Sequence, residues 1–178
     1  MTVLLLIADN QTLAGTEGIS QIQYSIFSTM KISVHTDINA TKAAVWETIT
    51  NIEGAAERIS GIQKIEVLEK PESGLVGLKW KEERIMFGKT ATEVMWVTAA
   101  TEQKSYDVRA ESHGMIYESQ LRLEEAGNGT RLTMEFGGTP QTFMARVMGV
   151  LMSPFFKKAT IKALQQDMDD IKASVEAG

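Results

Sequence analysis

The fold of this chain is decided by its C-terminal stretch, residues 139–175, which reads TPQTFMARVMGVLMSPFFKKATIKALQQDMDDIKASV. Thr139 followed by Pro140 is typical of a helix start, and Pro154 predicts a kink in one helix rather than a break into two. Towards the end, apolar residues recur every three or four positions, which places them along one helical face. They are Ile161, Leu164, Met168, Ile171 and Val175. We therefore expect a long helix that lies on one broad apolar surface.

The composition is that of a soluble globular domain. The 178 residues are 43% hydrophobic and 23% charged, and the net charge of −5 argues against a nucleic-acid partner, which needs a basic face. The chain has no cysteine, and its two histidines, His35 and His113, are far apart in sequence. We predict no catalytic residue, no metal and no cofactor. We also expect no membrane span, a cytoplasmic location, and a monomer or homodimer.

Residues 1–29 differ from the rest of the chain. A short apolar run at 3–8 has no basic residue before it, so it does not fit a secretory signal, and a polar stretch follows it. We predict an N-terminal extension outside the domain, which then covers residues 30–178. The alternative is an extra strand that pairs with a sheet edge of this chain or of a neighbouring one.

The remaining residues predict a sheet. Alternation predicts strands at 31–38 and 62–69, and short helices at 41–50 and 52–59 separate them. Further strands are separated by glycine-containing turns at Gly88-Lys89, His113-Gly114 and Asn128-Gly129. The predicted class is α+β, with a curved antiparallel sheet of about seven strands around the C-terminal helix and two short helices between strands 1 and 2.

Taking the three turns literally fixes the register, and all three hairpins then agree on one inner face. The predicted cross-strand pairs include Trp80 with Val97, Arg84 with Glu93, Lys81 with Trp96, Val108 with Ser119, Arg109 with Glu118, Leu123 with Met134, and Arg122 with Glu135.

The chain resembles the START-like superfamily, also called the birch-pollen-allergen-like or helix-grip fold, and within it the polyketide cyclase/dehydrase and lipid-transport branch (SRPBCC). The resemblance rests on the segment 38–46 with Trp46, on Gly61-Ile62, on the turn segment 127–133 and on the ending 170–172. The resemblance implies a cavity between sheet and long helix that holds an apolar or amphipathic small molecule. These motifs specify architecture and carry no catalytic signature.

Several polar side chains fall on the predicted inner face, and buried charges are costly unless they are paired. One interpretation is a polar patch near the cavity mouth, where Arg84 holds an anionic or carbonyl head group; the other is a bulge that turns Glu82 and Arg84 to solvent and leaves Ile85 and Phe87 inside. The candidate ligand-binding residues are Trp46, Trp80, Glu82, Arg84, Glu93, Met95, Tyr106, Tyr117, Ser119, Met134, Phe136, Met144 and Met148.

Three functions remain open at this point. The first is a non-catalytic binder or carrier of a small hydrophobic molecule. The second is a cyclase- or dehydratase-like enzyme that uses Arg84, Tyr106 and Tyr117 as acids and carbonyl polarisers. The third is a protein-interaction module whose cavity is closed.

Overall fold

The secondary structure follows the predicted order. The structure, a computed structural model, describes residues 30–86 and 88–178, and for residues 30, 86 and 143–156 it describes the backbone alone. The proposed extension, residues 1–29, lies outside the described part. The described helices are α1 (Lys42–Thr50), α2 (Ala55–Arg58) and α3 (Phe143–Ala177). The strands are β1 (Met30–Ile38), β2 (Ile62–Glu69), β3 (Lys79–Met86), β4 (Lys89–Thr101), β5 (Ser105–Ser112), β6 (Met115–Ala126) and β7 (Gly129–Pro140).

The seven strands form one antiparallel sheet in the order β1-β7-β6-β5-β4-β3-β2. The chain crosses from one edge strand to the other through α1 and α2, and then returns strand by strand until β7 lies beside β1. The hydroxyl of Thr41 accepts a hydrogen bond from the backbone N–H of Ala44 and caps α1. Together with the long C-terminal helix, this arrangement confirms the predicted helix-grip fold.

Helix α3 lies with its apolar stripe on the rest of the domain. Leu164, Met168 and Ile171 are buried in the same core as residues of the sheet and of α1. Ile161, which was predicted to belong to the stripe, is 38% exposed. Among the α3 side chains that the structure describes, the buried residues of the stripe therefore begin at Leu164. No helix in the described residues is both long enough and apolar enough to span a bilayer.

The start of α3 differs from the prediction. Thr139 and Pro140 continue strand β7, where Pro140 is paired with Met115, and the helix begins at Phe143. Pairing with the end of β6 therefore outweighs the local helix-start signal. Beyond that point a single helix runs through Pro154, as predicted.

Only one of the three predicted registers is correct in detail. In the β5–β6 hairpin Val108 faces Ser119 as predicted, and both turn residues, His113 and Gly114, have positive φ (51° and 73°). The β3–β4 and β6–β7 registers are each shifted by two residues, because each turn comes one position earlier than predicted, so that Met86 pairs with Lys89 and Ala126 with Gly129. A shift of two residues leaves every side chain on its predicted face.

The shifted registers change the outer-face contacts. Lys81 lies opposite Val94 rather than Trp96, and its Nζ binds Glu66 at 2.6 Å. Arg122 lies opposite Thr133 rather than Glu135. The predicted second short helix is also shorter than expected, since α2 covers only Ala55–Arg58.

Candidate functional site

A cavity of about 180 Å³ lies between the inner face of the sheet, the two short helices and the C-terminal half of α3. Apolar side chains make up most of its wall. The lining residues are Thr48, Ile49, Asn51, Ile52, Ala55, Arg58, Ile59, Ile62, Ile65, Trp80, Glu82, Arg84, Met95, Tyr106, Val108, Ser119, Leu121, Met134, Phe136, Leu164, Asp167 and Ile171. Pockets for drug-sized ligands are typically about 300–1,000 Å³, so this cavity suits a smaller molecule or part of a larger one.

Most of the predicted ligand-binding residues line this cavity. They are Trp80, Glu82, Arg84, Met95, Tyr106, Ser119, Met134 and Phe136. Trp46 instead packs edge-on against Tyr106, with ring centroids 6.0 Å apart, and Tyr117 stacks on Phe136 at 5.9 Å. Glu93 accepts a hydrogen bond from Ser112 at 3.1 Å and does not line the cavity either. The side chains of Met144 and Met148 lie outside the described part of the chain.

Three charged side chains meet in the cavity wall, and we call Glu82, Arg84 and Asp167 the acidic cluster. Arg84 Nη2 donates to both carboxylate oxygens of Asp167, at 2.8 and 2.7 Å, and Arg84 Nε lies 3.4 Å from Glu82 Oε1. The side chains of Glu82 and Asp167 are each 9% exposed and that of Arg84 is 20% exposed. One guanidinium thus serves two buried carboxylates, which leaves the cluster with one negative charge when both are ionised.

This arrangement corrects two sequence interpretations. Arg84 lies opposite Ala91 rather than Glu93, and its counter-ion comes from helix α3. The β3–β4 ladder continues unbroken from Lys79 to Met86, so Glu82 faces inward and Ile85, at 44% exposed, faces outward. The interpretation in which a bulge turns these charges to solvent is therefore wrong. Phe87, which that interpretation placed inside with Ile85, lies outside the described part of the chain.

Burial sets the proton affinities of the cluster. Desolvation raises the pKa of Glu82 above its ordinary value of 4.5, and the neighbouring Arg84 charge offsets part of that increase. The pKa of Asp167 is raised for the same reasons. For Arg84, desolvation disfavours the charge, but the attraction of Asp167 and Glu82 prevails and raises its pKa, so the guanidinium stays charged.

Two aromatic residues bring polar atoms to the same wall. The Tyr106 hydroxyl donates to the carbonyl of Ile49 at 3.0 Å, and complete burial raises its pKa. Trp80 is 4% exposed, and its indole Nε1–H meets no hydrogen-bond acceptor of adequate geometry in the part of the chain that the structure describes. The N–H nevertheless lies close enough to the Glu82 carboxylate to favour its charged form. Buried N–H donors without an acceptor are uncommon in proteins, so this N–H is a candidate to bind an acceptor atom of a ligand.

Sequence reasoning missed Asp167 and Arg58. Asp167 stands three residues after Leu164 and four before Ile171, so helical spacing places it within the apolar stripe; a carboxylate in that position was a usable signal. Arg58 also lines the cavity, where its Nη2 donates to the carbonyls of Thr48 and Asn51. No local pattern distinguished Arg58, because its role depends on how α1 and α2 are joined.

The loop before β2 fastens helix α3 beside the cluster. Ser60 donates its backbone N–H and its hydroxyl to Asp170 Oδ2, at 2.8 and 2.6 Å. Gly61 follows, and a Cβ at that position would come within 3.0 Å of Arg84 Nη2 and 3.3 Å of Asp167 Oδ1. The backbone of this loop therefore packs directly against the Arg84–Asp167 pair.

The curved sheet, the gripped helix and the cavity between them define a START-like protein with a helix-grip fold. The family can be stated more narrowly, since residues 29–176 match the sequence profile described as polyketide cyclase / dehydrase and lipid transport. The chain belongs to this family. No curated protein matches its sequence significantly.

Solved structures with the same fold are distant in sequence. The Zhui aromatase/cyclase from Streptomyces sp. R1128 is 13% identical with a TM-score of 0.69, and covers 84% of this chain and 94% of its own. A START superfamily protein from Mycobacterium smegmatis is 12% identical with a TM-score of 0.70, over 84% and 99%. Ara h 8.0201 is 16% identical with a TM-score of 0.63, over 85% and 100%. At these identities the similarity establishes the fold alone.

Proposed function

We propose that this protein binds or carries a small hydrophobic or amphipathic molecule in the cavity between the sheet and α3. The observation that carries the proposal is a largely apolar cavity with buried charges in its wall. A core that served folding alone would do without such charges, because replacing a buried ion pair with apolar side chains is often neutral or stabilising. A few fixed polar groups in an apolar wall are typical of ligand sites.

Native mass spectrometry of protein purified under gentle conditions tests this proposal. We expect a copurified small molecule on the wild-type chain. Ser119 lines the cavity, and Ser119→Leu should fill part of it and reduce the bound fraction. Glu118→Leu is the matched control, since Glu118 is exposed on the neighbouring position of the same strand. A wild-type chain that carries no molecule and takes up none from a hydrophobic extract would refute the proposal and favour the closed interaction module.

A cyclase- or dehydratase-like activity is the second candidate, and Glu82 favours it. Its buried carboxyl has a raised pKa and lines the cavity, as a residue that exchanges protons with a ligand should. The tyrosines fit the role less well, because the Tyr106 hydroxyl is held by the Ile49 carbonyl and Tyr117 does not line the cavity. The test is to follow the copurified molecule by mass spectrometry over time. Conversion that disappears in Glu82→Gln, with binding retained, would support the enzyme.

A further inference from the structure

The charge of the cavity wall restricts which polar group a ligand can place beside it. The acidic cluster has two carboxylates for one guanidinium, and all three side chains are largely buried. Charges interact strongly when they are removed from water. A ligand carboxylate at this position would add a third negative charge next to Glu82 and Asp167.

The two arginines in the wall are already engaged. Arg84 gives its Nη2 to both oxygens of Asp167 and its Nε faces Glu82. Arg58 donates to the carbonyls of Thr48 and Asn51. Neither guanidinium presents the free fork that recognises a carboxylate through two parallel hydrogen bonds.

A donor and an acceptor lie side by side in the same wall. Trp80 and Glu82 are two residues apart on β3, so their side chains project from the same face of the sheet. The buried Trp80 Nε1–H lies near the Glu82 carboxylate but makes no hydrogen bond of adequate geometry within the described residues. The Glu82 carboxylate contacts Arg84 at 3.4 Å, more loosely than Asp167 does, and therefore retains capacity to accept another hydrogen bond.

We propose that the cavity selects a neutral molecule that bears a hydroxyl group on an apolar ring or chain, and that this hydroxyl lies between Trp80 and Glu82. A hydroxyl accepts from the Trp80 N–H and donates to the Glu82 carboxylate with one oxygen. An ammonium group offers no acceptor to Trp80, and a carboxylate offers no proton to Glu82. This inference rests on the proposed function, since it names the ligand class of the same cavity.

Four single-ring probes that differ in one substituent test the selection: 4-ethylphenol, ethylbenzene, 4-ethylbenzoate and protonated 4-ethylbenzylamine. They are titrated at pH 7 into the full chain and followed by NMR, with the Trp80 indole N–H resonance as a local reporter. We expect 4-ethylphenol to bind about tenfold more tightly than ethylbenzene, the effect of two modest hydrogen bonds, and to shift the indole resonance. The benzoate should bind most weakly.

Other rankings overturn the inference. Tightest binding by the benzoate would mean that an arginine binds the polar group of the ligand. Tightest binding by the amine would mean that the negative charge of the cluster alone determines which ligand binds. Equal binding of phenol and hydrocarbon would remove the hydroxyl site while leaving the proposed function intact. If none of the four binds, ethylbenzene included, the proposed function fails for molecules of this size, and this inference fails with it.

A pair of tryptophan variants locates the donor. In Trp80→Phe the advantage of 4-ethylphenol over ethylbenzene should fall to about threefold, since one of two hydrogen bonds is lost. Trp46→Phe is the control, because Trp46 packs on Tyr106 and does not line the cavity. Both affinities are measured within each variant, so a change in cavity volume affects them alike. An undiminished advantage in Trp80→Phe would overturn the assignment, and the wild-type series decides the ligand class if that variant does not fold.

Discussion

The Arg84–Asp167 pair joins strand β3 to helix α3, and a double-mutant cycle measures what the junction contributes. The cycle uses Arg84→Met, Asp167→Leu and the double variant, with free energies of unfolding from urea titration. Removing Asp167 leaves the Arg84 guanidinium largely buried with only Glu82, at 3.4 Å, to balance it within the described structure. Removing Arg84 leaves two carboxylates that are each 9% exposed without their shared cation. Each single variant should therefore lose more stability than the pair itself contributes.

The expected coupling energy follows from the geometry. Two unit charges about 4 Å apart attract by about 4 kcal/mol at an effective dielectric constant of 20. The residual exposure of Arg84 and its second partner, Glu82, reduce this value, so we expect a coupling of about 2–3 kcal/mol. Loss of the Glu82 counter-ion occurs in both Arg84→Met and the double variant, and it cancels in the cycle.

Lys81 and Glu66 provide the matched control. Their N–O distance of 2.6 Å is as short as that of the buried pair, and Lys81 also lies on β3, but the pair is open to solvent on the outer face. An exposed pair gains little because water and salt screen it. The reasoning requires a clearly larger coupling for Arg84–Asp167, and equal couplings in the two cycles would refute it.

Four further predictions concern the stability of the domain and the role of its N-terminal residues. Leu164→Asp should unfold the domain, with a loss of more than about 4 kcal/mol, because an unpaired carboxylate would be buried under α3; a melting temperature within a few degrees of wild type would show that α3 is not docked as described. Since folding raises the pKa of Glu82, the folded state binds a proton more tightly than the unfolded chain. The contribution of Glu82 to stability should therefore fall as pH rises from below 4.5 towards 7. Urea titrations at several pH values should then show the free energy of unfolding of Glu82→Gln increasing relative to that of wild type as the pH rises. A difference between the two proteins that does not change with pH would contradict this. Gly129→Ala should cost about 1–3 kcal/mol because its Cβ would collide with the Ile38 carbonyl, whereas Gly138→Ala meets only the flexible end of Met115 at its closest approach and should cost less; calorimetry of both variants compares them. A chain that starts at Met30 should keep its melting temperature, and a large drop would assign residues 1–29 to the sheet or to an interface between chains.

The sequence predicts which face of the sheet is buried better than it predicts register. In the β5–β6 hairpin both turn residues, His113 and Gly114, have positive φ, and the register predicted for this hairpin is correct. At the other two turns Gly88 and Gly127 have positive φ, and residue type does not fix the position of such a glycine within the loop. The resulting error is two residues, which preserves the inward face of Trp80 and Glu82 and changes only what lies opposite them.

The residues of the candidate site also differ in how well the sequence predicts them. The β-strand residues of the cavity follow from alternation, which is a local property of the chain. The counter-ion of Arg84 does not, because Asp167 lies 83 residues further along and reaches it only through the packing of α3 on the sheet. Arg58 likewise lines the cavity because of how a short loop joins two helices. Contacts of this kind depend on tertiary structure, and patterns within one segment do not reveal them.

The close approach of Gly61 to the Arg84–Asp167 pair has an evolutionary consequence. A Cβ at position 61 would lie 3.0 Å from the guanidinium and 3.3 Å from its carboxylate partner, so the ion pair favours glycine there. Positions 61, 84 and 167 should therefore change together in related sequences. Lineages that have lost the arginine should accept a larger residue at position 61 more readily than lineages that keep it.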